Sequence, residues 1–299
     1  MMMMGGMCHT EQVQGRPRVI INADDYGITA GVNRAIDELA LAGVVTSTSV
    51  MTNMPLWGSI DALRNVLGIG VHFNLTVGTP VLPAEDVPSL VGPDGKFVGL
   101  EHLLEKMKAR MLRPEEVERE LTAQTLRLTG LGIVPDHADS HESLLKYPFF
   151  GAIIKRISLR HGVEAVRTYT PRRFDYHRLL SPRRMAISAY LELDKLRWRR
   201  SGFLVADRYD SLIRTGLTYE DALLSLGDIF SNLPERVLEI GVHPGYVDGE
   251  GREADDPLGG YVEEREVEAA VLGSGELREW IGRTGAQLIR FRDLRHEGG

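Results

Sequence analysis

Three short polar segments of this chain carry residue types that bind divalent metal ions. They are Asn22-Ala23-Asp24-Asp25, Val71-His72-Phe73-Asn74-Leu75 and His137-Ala138-Asp139-Ser140-His141. Each segment follows or ends an apolar, β-branched run, so each is predicted to lie at the end of a buried strand. A carboxylate with two imidazoles leaves coordination positions open for water and substrate. The segments therefore predict hydrolysis assisted by a divalent metal.

The first segment places two carboxylates side by side, Asp24 and Asp25. In a regular strand, adjacent side chains point to opposite faces, but at a strand end turned by Gly27 both can aim inward. Two close carboxylates repel, and a cation beside them relieves the repulsion. One acid is then expected to bind metal while the other accepts a proton. The structural alternative is an N-cap pair ahead of a helix over residues 31–41.

The third segment has ionisable residues at alternate positions, His137, Asp139 and His141. On an extended chain these three share one face, and burying them is costly unless a metal or charge pairing offsets the desolvation. His72 lies in an apolar strand, where a lone histidine is more often a hydrogen-bonded core residue. The third segment is what strengthens the interpretation of His72 as a ligand.

Two further strand ends carry candidate residues. His243 follows the run Glu239-Ile240-Gly241-Val242 and precedes Pro244-Gly245. It is a candidate general acid for a leaving amine because imidazole titrates near neutral pH. A plain turn residue is the alternative. Arg167 ends the run Ala165-Val166 and is predicted either to hold a substrate oxygen or to pair with one of the acids.

Apolar runs alternate with helical patterns along the chain. Strands are predicted over residues 18–22, 44–51, 68–75, 133–139, 164–167, 237–242 and 287–291. Helices are predicted over residues 113–130 and around residues 222–229, in addition to 31–41. This alternation implies a parallel sheet, and 299 residues suit one α/β barrel. All the candidate residues would then lie at the carboxyl ends of strands, where barrel enzymes place their chemistry.

Composition limits the partners and the compartment. A net charge of −7 argues against a nucleic-acid partner, and no apolar run approaches the roughly 18 to 20 residues of a membrane helix. Residues 1–17 are predicted to be a flexible tail, without the basic region and apolar stretch of a secretory signal. The chain has one cysteine, Cys8, so no intrachain disulfide can form, which predicts a cytoplasmic protein.

Residues 171–208 form an unusually basic segment. A solvated, inserted helix is the plain interpretation, since runs of charge usually face water. A lid over the site, or a basic surface that contacts an acidic partner subunit, is the alternative, and a homodimer is therefore kept open. The basic residues are Arg172, Arg173, Arg183, Arg184, Lys195, Arg197, Arg199 and Arg200.

Taken together, the strand-end segments resemble the YdjC/ChbG-like family of carbohydrate deacetylases. The matching segments are NADDYG at 22–27, GVVTSTS at 43–49, GVHFNLT at 70–76, HADSH at 137–141 and GVHPG at 241–245. They occur in the family's order from about residue 18 to residue 294. The resemblance implies a distorted TIM-like (β/α) barrel in a single domain, residues 18–299. It also implies removal of an N-acetyl group from an amino sugar or chitooligosaccharide, a small-molecule substrate.

The resemblance also implies roles for individual residues. Asp25, His72 and His141 would hold the metal, magnesium or zinc, and Asp24 would be the base. His243 keeps its role as catalytic acid, and Arg167, His137 and Asp139 are expected to contact the substrate. Asp139 is the next candidate for the base.

One departure from the family concerns the residues after His141. The family commonly continues with further histidines, whereas Glu142 and Ser143 follow here. The proposed ligand is kept, but the nearby substrate contacts differ, so the sugar specificity is expected to differ as well. Two other functions stay open: another metal-dependent hydrolase such as a sugar-phosphate phosphoesterase, and a non-catalytic sugar-binding barrel.

Overall fold

The computed structural model describes residues 16–55, 57–171, 181–233, 236–247 and 262–297. Its strands are β1 (Arg18–Tyr26), β2 (Ser47–Val50), β3 (Gly68–Phe73), β4 (His137–Ser140), β5 (Ala165–Val166), β6 (Arg208–Ser211), β7 (Val237–Val242) and β8 (Gln287–Leu288). Its α-helices are α1 (Ala30–Leu41), α2 (Gly99–Lys108), α3 (Pro114–Gly130), α4 (Pro148–Arg160), α5 (Pro182–Arg200), α6 (Tyr219–Ser231), α7 (Val262–Leu272) and α8 (Gly275–Thr284).

Local sequence accounts for where several helices begin. Thr29 caps α1 by accepting the N–H of Val32, and Thr218 caps α6 by accepting the N–H of Asp221. Pro114 opens α3, where its missing N–H is not needed, and acidic residues follow in the first turn. The predicted helix over 113–130 is therefore confirmed within one residue. The patterns at 31–41 and around 222–229 are confirmed as α1 and α6.

The strands form one parallel sheet in the order β5-β4-β3-β2-β1-β7-β6, with β8 paired to β1. The two outer edges of this sheet meet. The N–H of Tyr209 in β6 donates to the carbonyl of Thr170, 2.7 Å away, and Pro171 forms a parallel bridge with Tyr209. The sheet therefore curls into a distorted (β/α) barrel, and the predicted fold class is confirmed.

Two apolar clusters stabilise the barrel. The larger one lies between the strands and the surrounding helices. The smaller one, here called the lower layer, collects buried residues around the amino ends of the strands. Its members are Ile20, Ala165, Ala206, Val237, Ile289, Phe291 and Leu294. Above the lower layer the interior is polar, and two glycines make room there. A Cβ on Gly70 would lie 2.3 Å from the His137 ring, and one on Gly241 2.6 Å from the Tyr209 hydroxyl.

Some sequence predictions need correction. Strand β6 was not predicted, because its sequence RYDS has no apolar run and its residues are only half-buried. Strand β2 starts at Ser47 rather than residue 44, and β8 ends at Leu288 rather than residue 291. Within 171–208 the predicted helix exists as α5, while residues 172–180 lie outside the described residues. So does the predicted tail up to residue 15. In the described ranges, no helix is long and apolar enough to cross a membrane.

Candidate active site

A bulge in β1 lets two adjacent acids reach the same cavity. Ala23 pairs with Thr48 and Tyr26 with Val50, so two β1 residues, Asp24 and Asp25, lie opposite one residue of β2. The backbone of Asp25 is left-handed, with φ of 68°. The extra residue breaks the alternation of faces, and both carboxylates therefore line one cavity. The acids lie within β1, whereas the sequence placed them just beyond a strand that ended at residue 22.

Three predicted metal ligands meet at the carboxyl ends of β1, β3 and β4. Asp25 Oδ1 lies 2.9 Å from His141 Nδ1 and 3.2 Å from His72 Nε2. One ligand atom from each of the three residues lies within 4.8 Å of the other two. Residues far apart in sequence thus supply one carboxylate and two imidazole nitrogens to one point, a donor set that suits a divalent ion such as zinc.

His72 is oriented by a second carboxylate. Its Nδ1 lies 2.7 Å from Asp139 Oδ1, which directs Nε2 toward Asp25. Burial alone would lower the pKa of His72, but Asp139 and then Asp25 outweigh it and raise the pKa to about 10. The ring therefore carries a proton where a ligand nitrogen needs a free lone pair, and a bound cation would take the place of that proton. A carboxylate behind a histidine ligand is the usual support of a metal site.

A second cluster of possible ligands, Asp24, His72 and Asp139, is already occupied by an internal cation. Arg167 donates from Nη1 and Nη2 to Asp24 at 2.6 and 2.7 Å, and its Nη1 lies 3.0 Å from Asp139 Oδ2. The ligand atoms of this second cluster also lie within 4.8 Å of one another. Arg167 engages both oxygens of Asp24, whereas Arg265 engages only Oδ2 of Asp25 and leaves Oδ1 facing His72 and His141. The cluster around Asp25 is therefore the better cation site.

Arg167 is the centre of a buried ion network. Its Nε donates to Glu239, and its side chain is only 2% exposed. Burial alone would lower the pKa of Arg167, but Asp24, Glu239 and Asp139 together hold it well above its usual value. Burial raises the pKa of Glu239 to about 7. Of the two predicted roles for Arg167, pairing with the acids is the one present, although its side chain also borders the cavity.

His137 and Asp139 lie beneath the cavity rather than on its lining. The His137 ring stacks on Phe291, with centroids 4.0 Å apart, and its Nε2 lies 3.2 Å from Ser49 Oγ. Ser49 donates to Asp139 at 2.6 Å. The sequence predicted substrate contact for both residues. Because residues two apart on a strand share a face but differ in depth, His141 reaches the rim while His137 and Asp139 support it from below.

His243 lies above Asp24 at the end of β7. Its Nε2 is 3.6 Å from Asp24 Oδ2, and its side chain is 18% exposed. Burial lowers the pKa of His243 to about 4, although the acids Asp24 and Asp25 act in the opposite direction. The near-neutral titration expected from sequence is therefore wrong for this imidazole, which is uncharged at neutral pH.

Helix α7 supplies two site residues that the sequence analysis missed. Arg265 donates to Asp25 Oδ2 at 2.6 Å, and Glu268 accepts the backbone N–H of His243 at 2.5 Å. Both side chains are buried. Charged residues in an acidic run ordinarily face water. The missed signal is their spacing of three, which puts them on the helix face that also buries Ala269 and Leu272.

The site opens into a cavity of about 470 Å³. Its lining includes Asp24, Asp25, His72, His141, Arg167, His243 and Arg265. A neighbouring cavity of about 1120 Å³ lies against α5 and shares Glu142, Ser143, Lys146, Tyr209 and Ser211 with the first. Glu142 and Ser143, the residues that depart from the family pattern, have left-handed backbones and border both cavities.

Comparison with known proteins places this site in a family. Residues 18–283 match the family described as YdjC-like protein. The chain belongs to this family. The family resemblance predicted from the sequence is therefore confirmed, and the matched range contains every residue that lines the site cavity.

Named relatives of this YdjC-like chain are carbohydrate deacetylases. One from Brevibacillus brevis is 31% identical over 281 residues, covering 93% of this chain and 99% of the relative. Another, from Geobacillus stearothermophilus, is 31% identical and covers 92% of this chain and 97% of the relative. A solved Enterococcus faecalis structure, titled a putative cellobiose-phosphate cleavage protein, is 28% identical with a TM-score of 0.75. That match covers 93% of this chain and 99% of the other.

Proposed function

We propose that the protein is a metal-dependent carbohydrate deacetylase that hydrolyses the N-acetyl group of an amino sugar or chitooligosaccharide. The observation that carries this proposal is a single cavity that contains both a set of metal-ligand atoms and a separate carboxylate that can act as a base. Asp25, His72 and His141 present ligand atoms to one point, while Asp24 is held apart from them by Arg167. The names of the 31% identical relatives, both carbohydrate deacetylases, support the same reaction.

The ligand set supports a divalent cation, magnesium or zinc. Held by Asp25, His72 and His141, it would supply Lewis acidity at the acetyl group. Asp139 would keep His72 in the correct tautomer, and Arg265 would orient Asp25 from the opposite side.

Asp24 is the group placed to accept the proton of the attacking water. Arg167 and Asn22 donate hydrogen bonds to its two oxygens and fix the carboxylate in place. As the water oxygen bonds to the acetyl carbon, the water loses a proton to Asp24. The amide C–N bond then breaks, and its electron pair stays with the sugar nitrogen. That nitrogen takes a proton from His243, which gives acetate and a free amine.

The two adjoining cavities support a substrate larger than one sugar unit. The inner cavity of about 470 Å³ contains the reactive groups, and the outer one extends along α5. Tyr147, Tyr169 and Tyr190 border the outer cavity. Aromatic rings offer flat apolar faces with a polar edge, which suits the apolar faces and hydroxyl groups of a pyranose.

Acetate release tests the proposal. Purified protein is offered N-acetylglucosamine and its β-1,4-linked oligomers, after chelation and after readdition of Mg²⁺ or Zn²⁺. We expect acetate and free amine in equal amounts with added metal and none after chelation. A matched variant, His72→Gln, should release no acetate under either condition. Metal-independent release would contradict the proposed site, and no release from any N-acetylated sugar would contradict the reaction.

Cleavage of a sugar phosphate is the second candidate, and two observations favour it. The E. faecalis relative is described as a cellobiose-phosphate cleavage protein, and Arg183 and Arg184 border the outer cavity. Measuring phosphate beside acetate, with phosphorylated and plain acetylated sugars, separates the two reactions. A cytoplasmic location, inferred from the single cysteine, and a homodimeric assembly stay predictions.

A further inference from the structure

Glu268 is a fully buried acid that contacts the residue proposed to protonate the leaving amine. Its Oε2 accepts the backbone N–H of His243 at 2.5 Å. Its Oε1 is buried and has no hydrogen-bond partner among the described residues. Buried polar atoms in native proteins almost always have a partner, so this unpaired oxygen needs a functional explanation.

The His243 ring holds a second buried atom without a partner in the described part of the chain. Its Nδ1 is also buried and lacks a partner within the described ranges, while its Nε2 faces Asp24 Oδ2 at 3.6 Å. A carboxylate only accepts hydrogen bonds, so the nitrogen that faces Asp24 is the one that carries hydrogen. Nδ1 is then a bare lone pair that needs a donor. The His243 and Glu268 side chains form no direct hydrogen bond with each other, so a bridging water would have to link them, and Glu268 Oε1 can donate to that water only as a neutral carboxylic acid.

The surroundings of Glu268 favour the neutral acid. The groups that face it are Arg265 on the same helix, Asp24 and Asp25 on β1, and His243 after β7. Burial raises the pKa of Glu268 to about 8, and the two aspartates add to that effect against His243 N–H and Arg265. Since burial lowers the pKa of His243 to about 4, a proton shared by this pair resides on Glu268 at neutral pH.

We propose that Glu268 supplies the proton that allows an uncharged His243 to protonate the leaving amine, an inference that rests on the deacetylase function proposed above. As the C–N bond breaks, the His243 Nε2–H proton passes to the amine nitrogen. The Glu268 Oε1–H proton passes to Nδ1 through one bridging water molecule. The cycle closes when Asp24 returns the proton taken from water to Nε2, and Nδ1–H returns its proton to Glu268. No proton is gained or lost beyond those of the water consumed.

Glu268→Gln is the informative variant because glutamine keeps the hydrogen bond to the His243 backbone and a donor in the position of Oε1. Its amide oxygen accepts the His243 N–H and its amide nitrogen can donate to the bridging water, but it cannot release a proton. We expect kcat for an N-acetyl sugar to fall about 10²-fold, the lower end of acid–base effects. Hydrolysis of an aryl acetate should change little, because its leaving group needs no proton. Glu266→Gln is the control: on the same helix, Glu266 accepts the N–H of Val247 at 2.8 Å, and both activities should stay unchanged.

The pH profile and the ring tautomer test the proton itself. In the wild type, kcat for the amide should fall as pH rises past about 8, where Glu268 ionises. This alkaline fall in kcat should be absent in Glu268→Gln. By ¹⁵N NMR, His243 should carry hydrogen on Nε2 at neutral pH and shift it toward Nδ1 above about pH 8. In Glu268→Gln the Nε2–H tautomer should persist throughout.

Three results would overturn the inference. They are equal losses on amide and ester, an alkaline limb that survives in Glu268→Gln, and identical tautomer behaviour in both proteins. The NMR measurement needs no turnover. If the wild type released no acetate but showed the tautomer shift, the proposed function would fail while the Glu268–His243 pair would stand.

Discussion

The two ends of the barrel interior are filled in opposite ways. The lower layer is apolar: Ile20, Val237 and Phe291 are almost fully excluded from solvent and belong to one cluster. The upper end places Asp24, Asp139 and Glu239 around one arginine, equally buried. Both sets of side chains are shielded from solvent, but the physical basis differs. The first gains free energy from burial of apolar area, while the second depends on charges that offset one another's desolvation.

The difference shows what each end contributes. An apolar layer tolerates volume-conserving changes because hydrophobic contacts are non-directional. A buried ion network does not, because removal of one partner leaves the others uncompensated. We therefore assign most of the stability of the barrel to its lower layer and the surrounding core. At the upper end, charged side chains face the cavity, and their burial costs stability.

Removing the Arg167 guanidinium should disrupt the ion network at the upper end. Arg167→Met leaves Asp24, Asp139 and Glu239 without their shared partner. We expect the free energy of unfolding to fall by about 3–5 kcal/mol, the usual cost of breaking a buried ion network, together with loss of acetate release. Urea denaturation measures the first effect. An unfolding free energy within 1 kcal/mol of wild type would show that the network does not depend on Arg167.

Asp24→Asn, also at the upper end, removes the charge of the side chain while it keeps its shape. The amide is nearly isosteric and its oxygen still accepts a hydrogen bond from Arg167, but it cannot take a proton from water. We expect kcat to fall about 10²- to 10⁴-fold, as for loss of a general base, while bound metal measured by elemental analysis stays unchanged. Undiminished activity would move the base to Asp139, and lost metal would make Asp24 a ligand.

A substitution in the lower layer should reduce stability and leave activity unchanged. Ile20→Ala removes a fully buried side chain from it, and we expect a loss of about 2–5 kcal/mol in unfolding free energy. kcat should stay within about twofold of wild type, since the site lies at the opposite end. Leu41→Ala is the control, because Leu41 is 73% exposed. A fall in kcat comparable to that of Asp24→Asn would show that the two ends are coupled.

A smaller effect concerns the pH dependence of stability. Burial raises the pKa of Glu239 from its ordinary 4.5 to about 7. Between these values the folded protein holds a proton that the unfolded chain has lost, so this group's contribution to stability is present below about pH 4.5 and declines as pH rises toward 7. Glu239→Gln should remove that part of the decline. Urea midpoints of both proteins are measured below and above this pH window. Equal pH dependence in the two proteins would show that ionisation of Glu239 does not contribute to the decline.

Sequence alone predicted the parts of the site that depend on strand ends. The segments that contain Asp25, His72 and His141 could be grouped because parallel strands bring their carboxyl ends to one rim, and the family resemblance singled out these three residues within them. The bulge that turns Asp24 and Asp25 into one cavity could not be predicted, since it depends on pairing with β2. Burial of His243, which lowers its pKa, depends on the packing of elements around it. Helix α7 was missed as part of the site because its charges resemble a solvated face.

The most direct test of the metal site is an anomalous diffraction measurement on crystals of the protein grown with Zn²⁺. We expect one strong peak bonded to a carboxylate oxygen of Asp25, to His72 Nε2 and to an imidazole nitrogen of His141, at about 2.0 to 2.2 Å. The Asp24 carboxylate should remain paired with Arg167 and outside the coordination shell. A peak among Asp24, His72 and Asp139, or none within reach of Asp25, would contradict the assignment of ligand and base to the two adjacent aspartates.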